Sequence, residues 1–473
     1  MNFFRKLSRL AALAMITSPL MGEEKPNIIL IMADDLGWGD VGFNGHEIIK
    51  TPHLDEMAEN GLRMDRFYVA SPLCSPARGS CLTGRHPWRY GILAAHTGGM
   101  RIGEFTVAEV ARLKKYQTGF FGKWHLGWVK PEDVSSRGHY SPPWHHGFEE
   151  TFATTGAVPT WDPGVVPEGW AGRWGGGDSK VGGPWKGGKP YVHNGEEVTE
   201  NLKGDDSRII MDRVIPFINQ AAKKKDPFLA CVWFHTPHEP VVAGPEYRKL
   251  YPDSSSEEKD YFGCITAMDE QIGRLRAELR KLGIEKNTVL FFTSDNGPSG
   301  GLTRRGVASA GPFRGSKHTM YEGGLRVPSL VEWPGKVKAG SVSQAVTATV
   351  DYFPTVVDLT GVKLGKKANR PIDGVSLLPL MEGGESEREE PLFFGYRRLY
   401  NEVDGQALTE ERYKLIRRAN KSGKYELYDL LEDPAEKKNL AKSHPEVFER
   451  MKKAMAEQDE SCRLSRDGAD YQH

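Results

Sequence analysis

The sequence predicts an α/β fold in which a large, mostly parallel sheet flanked by helices is followed by a small C-terminal antiparallel sheet subdomain. Three observations predict it. A continuous apolar run at residues 27–32 lacks the polar alternation of a strand wetted on one face, and strand-like runs recur at 118–121, 228–234 and 289–293. Stretches of helical periodicity at 206–222 and 260–282 stand between them. Such alternation of strand and helix implies a parallel sheet. Beyond Gly383-Gly384 the composition turns charged and polar, and shorter strand-like runs follow at 392–396, 411–416 and 425–430.

Each element has a local reason. Residues 1–22 read as an export signal: Arg5, Lys6 and Arg9 make a positive head, and Leu10 to Met21, interrupted by Pro19, a short apolar segment. That segment is too short to span a bilayer comfortably. Asn27-Ile-Ile-Leu-Ile-Met32 suits a strand buried on both faces. Thr51-Pro52 offers an N-cap and a first-turn proline, and Gly61 a stop, for a short helix. A last helix from 445 to about 457 would cover the small sheet. The expected organisation is a main domain over 23–382 and a C-terminal α+β subdomain over 383–473, with no internal repeat.

Composition narrows the partners. The 473 residues carry 63 basic and 63 acidic side chains, so no global positive field favours nucleic acid or an anionic membrane. Attraction for an anionic substrate must be local. An export signal without a second membrane-length apolar run gives a soluble periplasmic or secreted protein, with no stable membrane association. The five cysteines, Cys74, Cys81, Cys231, Cys264 and Cys462, do not form a disulfide framework, and zinc-site spacings are absent.

Two acidic pairs follow apolar runs: Asp34-Asp35 after the first, Asp295-Asn296 after the run at 289–293. Neighbours within a strand point to opposite faces, so both members of a pair converge on one ion only where strand gives way to loop. Open α/β sheets place their ligand sites at such ends. Carboxylate and amide oxygens are hard donors that suit calcium or magnesium. A cationic set accompanies them. Lys123 and His125 lie in Gly122-Lys-Trp-His-Leu-Gly127, Lys317 in Gly315-Ser-Lys-His-Thr-Met-Tyr-Glu-Gly-Gly324, and His235 and His238 in Phe234-His-Thr-Pro-His-Glu-Pro240. A lysine beside histidine and glycine after an apolar run reads as a pocket group; His235 and His318 are the weaker candidates.

The stretch Cys74-Ser-Pro-Ala-Arg-Gly-Ser-Cys-Leu-Thr-Gly84 resembles the C-x-P-x-R and L-T-G signature of type I sulfatases, in the alkaline phosphatase superfamily. The resemblance extends from about Pro26 to Leu440, through D-Y-F-P-T at 351–355 and L-Y-D-L-x-x-D-P-x-E-x-x-N-L at 427–440. It implies that a maturation enzyme, an aerobic oxidase or a radical enzyme, converts Cys74 to Cα-formylglycine. The hydrated aldehyde then attacks the sulfur of a sulfate ester and later expels sulfate by collapsing back, which divides a hard displacement into two easier steps. It further implies one calcium ion bound by Asp34, Asp35, Asp295 and Asn296, with position 74 completing the site. By the same resemblance Arg78 holds the nucleophile, Lys123 and Lys317 neutralise the sulfate oxygens, His238 protonates the leaving alcohol and His125 takes the second hydroxyl proton. Ala77 departs from the serine of many members, but the oxidation motif needs only Cys, Pro and Arg.

Residues 156–195 are glycine-rich and contain Trp161, Trp170, Trp174 and Trp185, rings able either to stack on sugar faces or to pack the loop onto the sheet. A sulfated carbohydrate is the expected substrate, with an aryl sulfate behind it. A formylglycine-dependent phosphonate or phosphodiester hydrolase and a non-catalytic glycan-binding relative are the other classes; the latter would be expected to lack Cys74, Arg78 or a metal ligand.

Overall fold

The computed structural model describes residues 25–471 apart from 96, 135–138, 173–178, 188–190, 366–369, 387, 398–403 and 419–422, so the expected export signal lies outside the described residues. The strands are β1 (Asn27–Ala33), β2 (Leu62–Met64), β3 (Phe67–Tyr68), β4 (Gln117–Lys123), β5 (Glu150–Thr154), β6 (Val192–His193), β7 (Glu196–Glu197), β8 (Phe228–Trp233), β9 (Thr288–Ser294), β10 (Ser329–Glu332), β11 (Ser341–Ser343), β12 (Thr347–Ala348), β13 (Leu392–Arg397), β14 (Asp404–Thr409), β15 (Tyr413–Arg417) and β16 (Tyr425–Asp429). One large sheet has the order β11-β2-β10-β9-β1-β8-β4-β5-β6-β7. Its centre, β9-β1-β8-β4-β5, is parallel throughout. The flanks turn antiparallel at β10 and β6.

The unbroken apolar runs occupy this parallel centre because helices cover both faces. Ile28, Leu30 and Met32 of β1 join one core and Ile29, Ile31 and Ala33 the other. The helices Cys74–Thr83, Val107–Arg112 and Tyr352–Thr360 pack on the first face; Asp206–Lys224 and Ser256–Lys281 pack on the second. Ser255 and Glu258 form a capping box at the start of Ser256–Lys281, and Asp205 caps Asp206–Lys224 through the Arg208 amide at 2.8 Å. Thr51 behaves differently from expectation. Its hydroxyl makes no cap but accepts from the Gly42 amide and donates to Asp55.

The small sheet, β13-β14-β15-β16, is antiparallel and lies between the main core and the helix Pro445–Arg466. Across its register Phe393, Leu408, Leu415 and Leu427 face that helix, while Phe394, Ala407, Ile416 and Tyr428 face the main core. Strand β14 escapes sequence reading because it opens on Asp404-Gly405-Gln406, poor strand formers that pairing on both sides compensates. The last helix runs nine residues beyond the expected 457, to Arg466, because Cys462 and Ser465 continue the buried stripe begun by Met451 and Met455. All five cysteines are free and buried.

Candidate active site

The parallel register delivers the acidic pairs to one place. Ala33 of β1 stands beside Ser294 of β9, and the next residues continue the ladder: the Asp295 amide donates to Ala33 O at 3.0 Å and the Asp34 amide to Thr236 O at 2.9 Å. Asp35 then turns to φ 65°, the sparsely populated left-handed region where Asp is among the tolerated residues. That turn lets adjacent carboxylates face one centre. The Asp35 amide donates to Asp295 Oδ1 at 3.1 Å, and Asn296 Nδ2 donates to Asp35 Oδ1 at 2.7 Å.

Cys74 is the first residue of a ten-residue helix that is buried throughout, so its thiol sits at the positively polarised end of the helix dipole. Arg78 is four residues on and therefore shares its face. Its guanidinium donates twice to Asp295 Oδ2, at 2.6 and 3.0 Å, and to the Lys123 carbonyl at 3.0 Å. Lys123 ends β4, where Gly122 at φ 108° lies so close to Trp233 O that an added Cβ would come within 1.9 Å. From there Lys123 Nζ reaches Asp34 Oδ2 at 2.6 Å. Lys317 Nζ binds both oxygens of Asp35, at 2.6 and 2.8 Å, and stands 3.4 Å from Cys74 Sγ. The ligand atoms of Asp34, Asp35, Cys74 and His238 all lie within 4.8 Å of one another.

The electrostatics follow from these contacts. Burial opposes ionisation of Asp34, yet Lys123, His238, Arg78 and Lys317 hold its carboxyl well below the usual range. Asp35 is also buried and held low, chiefly by Lys317. Burial and the Asp34 charge push Asp295 upward. With a permanent cation 2.6 Å away, the carboxylate is nevertheless the form that satisfies the Arg78 pair. Burial pushes the Cys74 thiol up to about 12 despite both lysines.

A divalent cation fits this donor set. Asp34 Oδ1 and Asn296 Oδ1 are buried without a hydrogen-bond donor among the described residues, although Asp34 Oδ1 lies 3.4 Å from Arg78 Nη2. Asn296 donates its Nδ2 to Asp35 and to Gly297 O, which turns its Oδ1 elsewhere. Hard oxygens left in this way suit calcium or magnesium.

The histidines separate. His238 donates Nδ1–H to Glu239 O at 2.7 Å, so its Nε2 is the atom turned toward Asp35, at 3.8 Å. Burial lowers its pKa to about 4. In that neutral tautomer Nε2 accepts, and donation from it requires the imidazolium. His125, at φ 56°, lines a narrow cleft with Ser75, Thr97, Gly98 and Thr155. His235 is a structural residue, bonded to Asp206 Oδ2 and Thr154 Oγ1 at 2.8 Å each. His318 is exposed.

Sequence reasoning missed the Glu239 carbonyl that orients His238, since a backbone acceptor has no residue signature. Of the loop tryptophans, Trp185 is buried and donates to Ala157 O at 3.2 Å, and Trp161 packs so closely on Gly244 that a Cβ there would meet its ring at 2.2 Å. Trp170 stacks edge-on against Trp185 at 6.5 Å. Trp174 lies outside the described residues.

Comparison with known proteins agrees with this geometry. The family model for sulfatase matches residues 26–362, and the model for the C-terminal region of N-sulphoglucosamine sulphohydrolase matches 314–461. The chain is 33% identical over 391 residues to N-acetylgalactosamine-6-sulfatase of Rattus norvegicus, covering 78% of this chain and 68% of that protein. It is 32% identical over 479 residues to arylsulfatase A of Bos taurus, covering 91% and 86%. The solved structure of Ps i-CgsB in complex with k-i-k-neocarrahexaose superposes with a TM-score of 0.79 at 28% identity, covering 92% of this chain and 93% of that one.

Proposed function

The chain belongs to the sulfatase family and is a sulfuric ester hydrolase, and from that premise we propose that it removes sulfate from a sulfated carbohydrate, using a formylglycine made from Cys74 and one calcium ion. The convergence of Cys74, Lys317 and Asp35 carries this reading: Lys317 Nζ lies 3.4 Å from Sγ and 2.6 Å from the carboxylate, which joins nucleophile, cation and metal ligand at one point. The similarity to an N-acetylgalactosamine-6-sulfatase and to a structure holding a neocarrahexaose favours a sugar over a simple aryl ester. Retention of Cys74, Arg78 and every acidic ligand disfavours a purely glycan-binding role.

Asp34, Asp35, Asp295 and Asn296 would hold the ion, with position 74 facing them. An ion held there would supply Lewis-acid polarisation. A formylglycine at position 74 would supply a hydrated aldehyde as nucleophile, in place of a thiol whose ionisation burial opposes. Arg78 fixes Asp295 and, through Lys123 O, the end of β4. Lys123 and Lys317 are preorganised cations for the sulfate oxygens. The negative charge of a bound sulfate ester would raise the His238 pKa and favour its imidazolium, which would give its Nε2 proton to the leaving oxygen to form the alcohol, and His125 would accept a proton from position 74. Export to a periplasmic or extracellular space belongs to the same proposal; among the described residues no helix is long and apolar enough to cross a membrane.

The test is sulfate release from sulfated mono- and oligosaccharides by the matured, calcium-loaded protein, beside hydrolysis of a phosphonate monoester and a phosphodiester. Specificity constants higher for the sulfate esters support the reading. A preference for the phosphorus esters would replace it with the phosphonate or phosphodiester hydrolase reading.

A further inference from the structure

We propose that the C-terminal subdomain positions Lys317 at the base of the loop that carries it, through Lys414, which binds the buried carboxylate of Glu322, and Glu436, which accepts the Glu322 amide. This rests on the assignment of Lys317 to the sulfate. Lys414 lies on β15 between Tyr413 and Leu415, and Leu415 faces the last helix, so alternation turns Lys414 to the main domain with Ile416. Its side chain is fully buried. Nζ stands 2.8 Å from Glu322 Oε1 and 3.1 Å from Glu436 Oε1. Glu436 Oε2 accepts the Glu322 amide at 2.7 Å, and Tyr68 donates its hydroxyl to Glu322 Oε2 at 2.9 Å. The Arg326 guanidinium, 3.6 Å away, completes the node.

The loop is stiff enough to pass a displacement from Glu322 to Lys317. The Gly323 amide donates to Arg314 O at 2.7 Å, the Lys317 amide to Pro298 O at 3.0 Å and the His318 amide to Pro72 O at 3.1 Å. The Gly297 amide, next to Asn296, donates to Gly324 O at 3.1 Å. A Cβ at Gly324 would stand 2.2 Å from Thr319 O, so the backbone has no room to slacken. Glu436 itself is held at φ 54°, a conformation costly for a glutamate that persists only where its surroundings over-determine it.

Stability alone does not call for these charges. A buried ion pair roughly breaks even against a well-packed apolar replacement, and its best attested use is to fix register. Here the register in question is that of the small sheet against the loop bearing a sulfate-binding lysine. Lys414 and Glu436 are therefore positioning residues, acting through Glu322.

A double-mutant cycle tests this, with kcat and KM on one sulfate ester and formylglycine content measured for wild type, Lys414→Met, Lys317→Ala and the double variant. Lys414→Met should lower kcat/KM by about tenfold to a hundredfold, as a misplacement of roughly an ångström does, mainly in kcat. In the Lys317→Ala background the same change should have an effect of less than about twofold, because the group it positions is gone. If Lys414→Met yields no folded protein, Glu436→Gln, which keeps an acceptor for the Glu322 amide, runs the same cycle. Losses that multiply, or a thermal destabilisation with wild-type kcat, would overturn the proposal. An unaffected kcat/KM in Lys317→Ala alone would remove the assignment of Lys317, and the inference with it.

Discussion

The two ends of the central strands both carry buried charge, but it is arranged in opposite ways. At the amino end of β9 Arg276 is closed off: its guanidinium meets Glu332 at 2.7 and 2.8 Å and Glu56 at 2.8 Å. At the carboxyl end Asp34, Asp35, Asp295, Arg78, Lys123 and Lys317 crowd together, and Asp34 Oδ1 and Asn296 Oδ1 have no hydrogen-bond donor among the described residues. Burial is common to both ends. What differs between these two ends is that the Arg276 and Glu332 groups satisfy one another, whereas Asp34 Oδ1 and Asn296 Oδ1 are left for something else to satisfy.

The largest expected effect comes from the carboxyl end. Cys74→Ala should reduce sulfate release by at least about a thousandfold while the circular dichroism spectrum and cooperative melt are kept, since it removes the reacting group from a helix that packs through its other residues. Residual turnover above that level, with purity controlled, would take the nucleophile away from position 74.

Asp295→Asn sharpens the comparison by changing charge with little change of volume. It should weaken calcium binding in calorimetric titration and lower activity together, and should also cost stability because Arg78 loses its closest partner. Unchanged calcium affinity would move the ion to other ligands.

Two further substitutions divide the cationic set by role. His238→Ala should slow an alkyl sugar sulfate about a hundredfold more than a nitrophenyl sulfate, whose phenoxide leaves without a proton. Lys123→Ala should slow both esters by similar factors, because its charge acts on oxygens common to both. Equal losses on both esters for His238→Ala would reassign it to sulfate binding and leave Lys317 as the acid.

At the amino end Arg276→Met should cost about 3–5 kcal/mol of stability, leaving Glu332 buried without its partner, with kcat/KM within about twofold of wild type. A large fall in kcat at unchanged formylglycine content would break the distinction between the ends.

The smallest effect is a pH slope. Asp40, six residues from Asp34, is buried among neutral donors, the amides of Gly37 and Ser309 and the Tyr261 hydroxyl, and burial raises its pKa to about 7. A raised folded-state pKa means that the native protein holds the extra proton between about 4 and 7. The resulting stability is full below about pH 4 and is lost as pH rises through about 7. Asp40→Asn should therefore gain melting temperature relative to wild type on going from pH 5 to 8, as calorimetric scans would show. A pH-independent difference would mean that Asp40 is ionised in the fold.

Much of this was legible in the sequence, for identifiable reasons. Unbroken apolar runs revealed the parallel centre because strands covered on both faces have no polar alternation to blur them. The convergence of the acidic pairs was legible because strand ends are where neighbours can face one centre, and Asp35 achieves this at φ 65°. Strand β14 was hidden because cross-strand partners, not its own residues, make it a strand. Glu322 and Glu436 were visible within motifs, yet the node they form depends on contacts 92 residues apart between Lys414 and Glu322 and 114 residues apart between Glu322 and Glu436. His235 was already the weaker candidate beside His238 in Phe234-His-Thr-Pro-His-Glu-Pro240, but its bonds to Asp206 and Thr154 come from other elements and could not be read there.

The central claim is that position 74 is a manufactured nucleophile. Mass spectrometry of the peptide spanning residue 74, from protein produced with a formylglycine-generating enzyme, tests it most directly, with activity measured on the same preparation. The expected result is a peptide in which the thiol has been replaced by an aldehyde, in a fraction that tracks specific activity across preparations. A fully active protein whose residue 74 is unmodified cysteine would contradict the account.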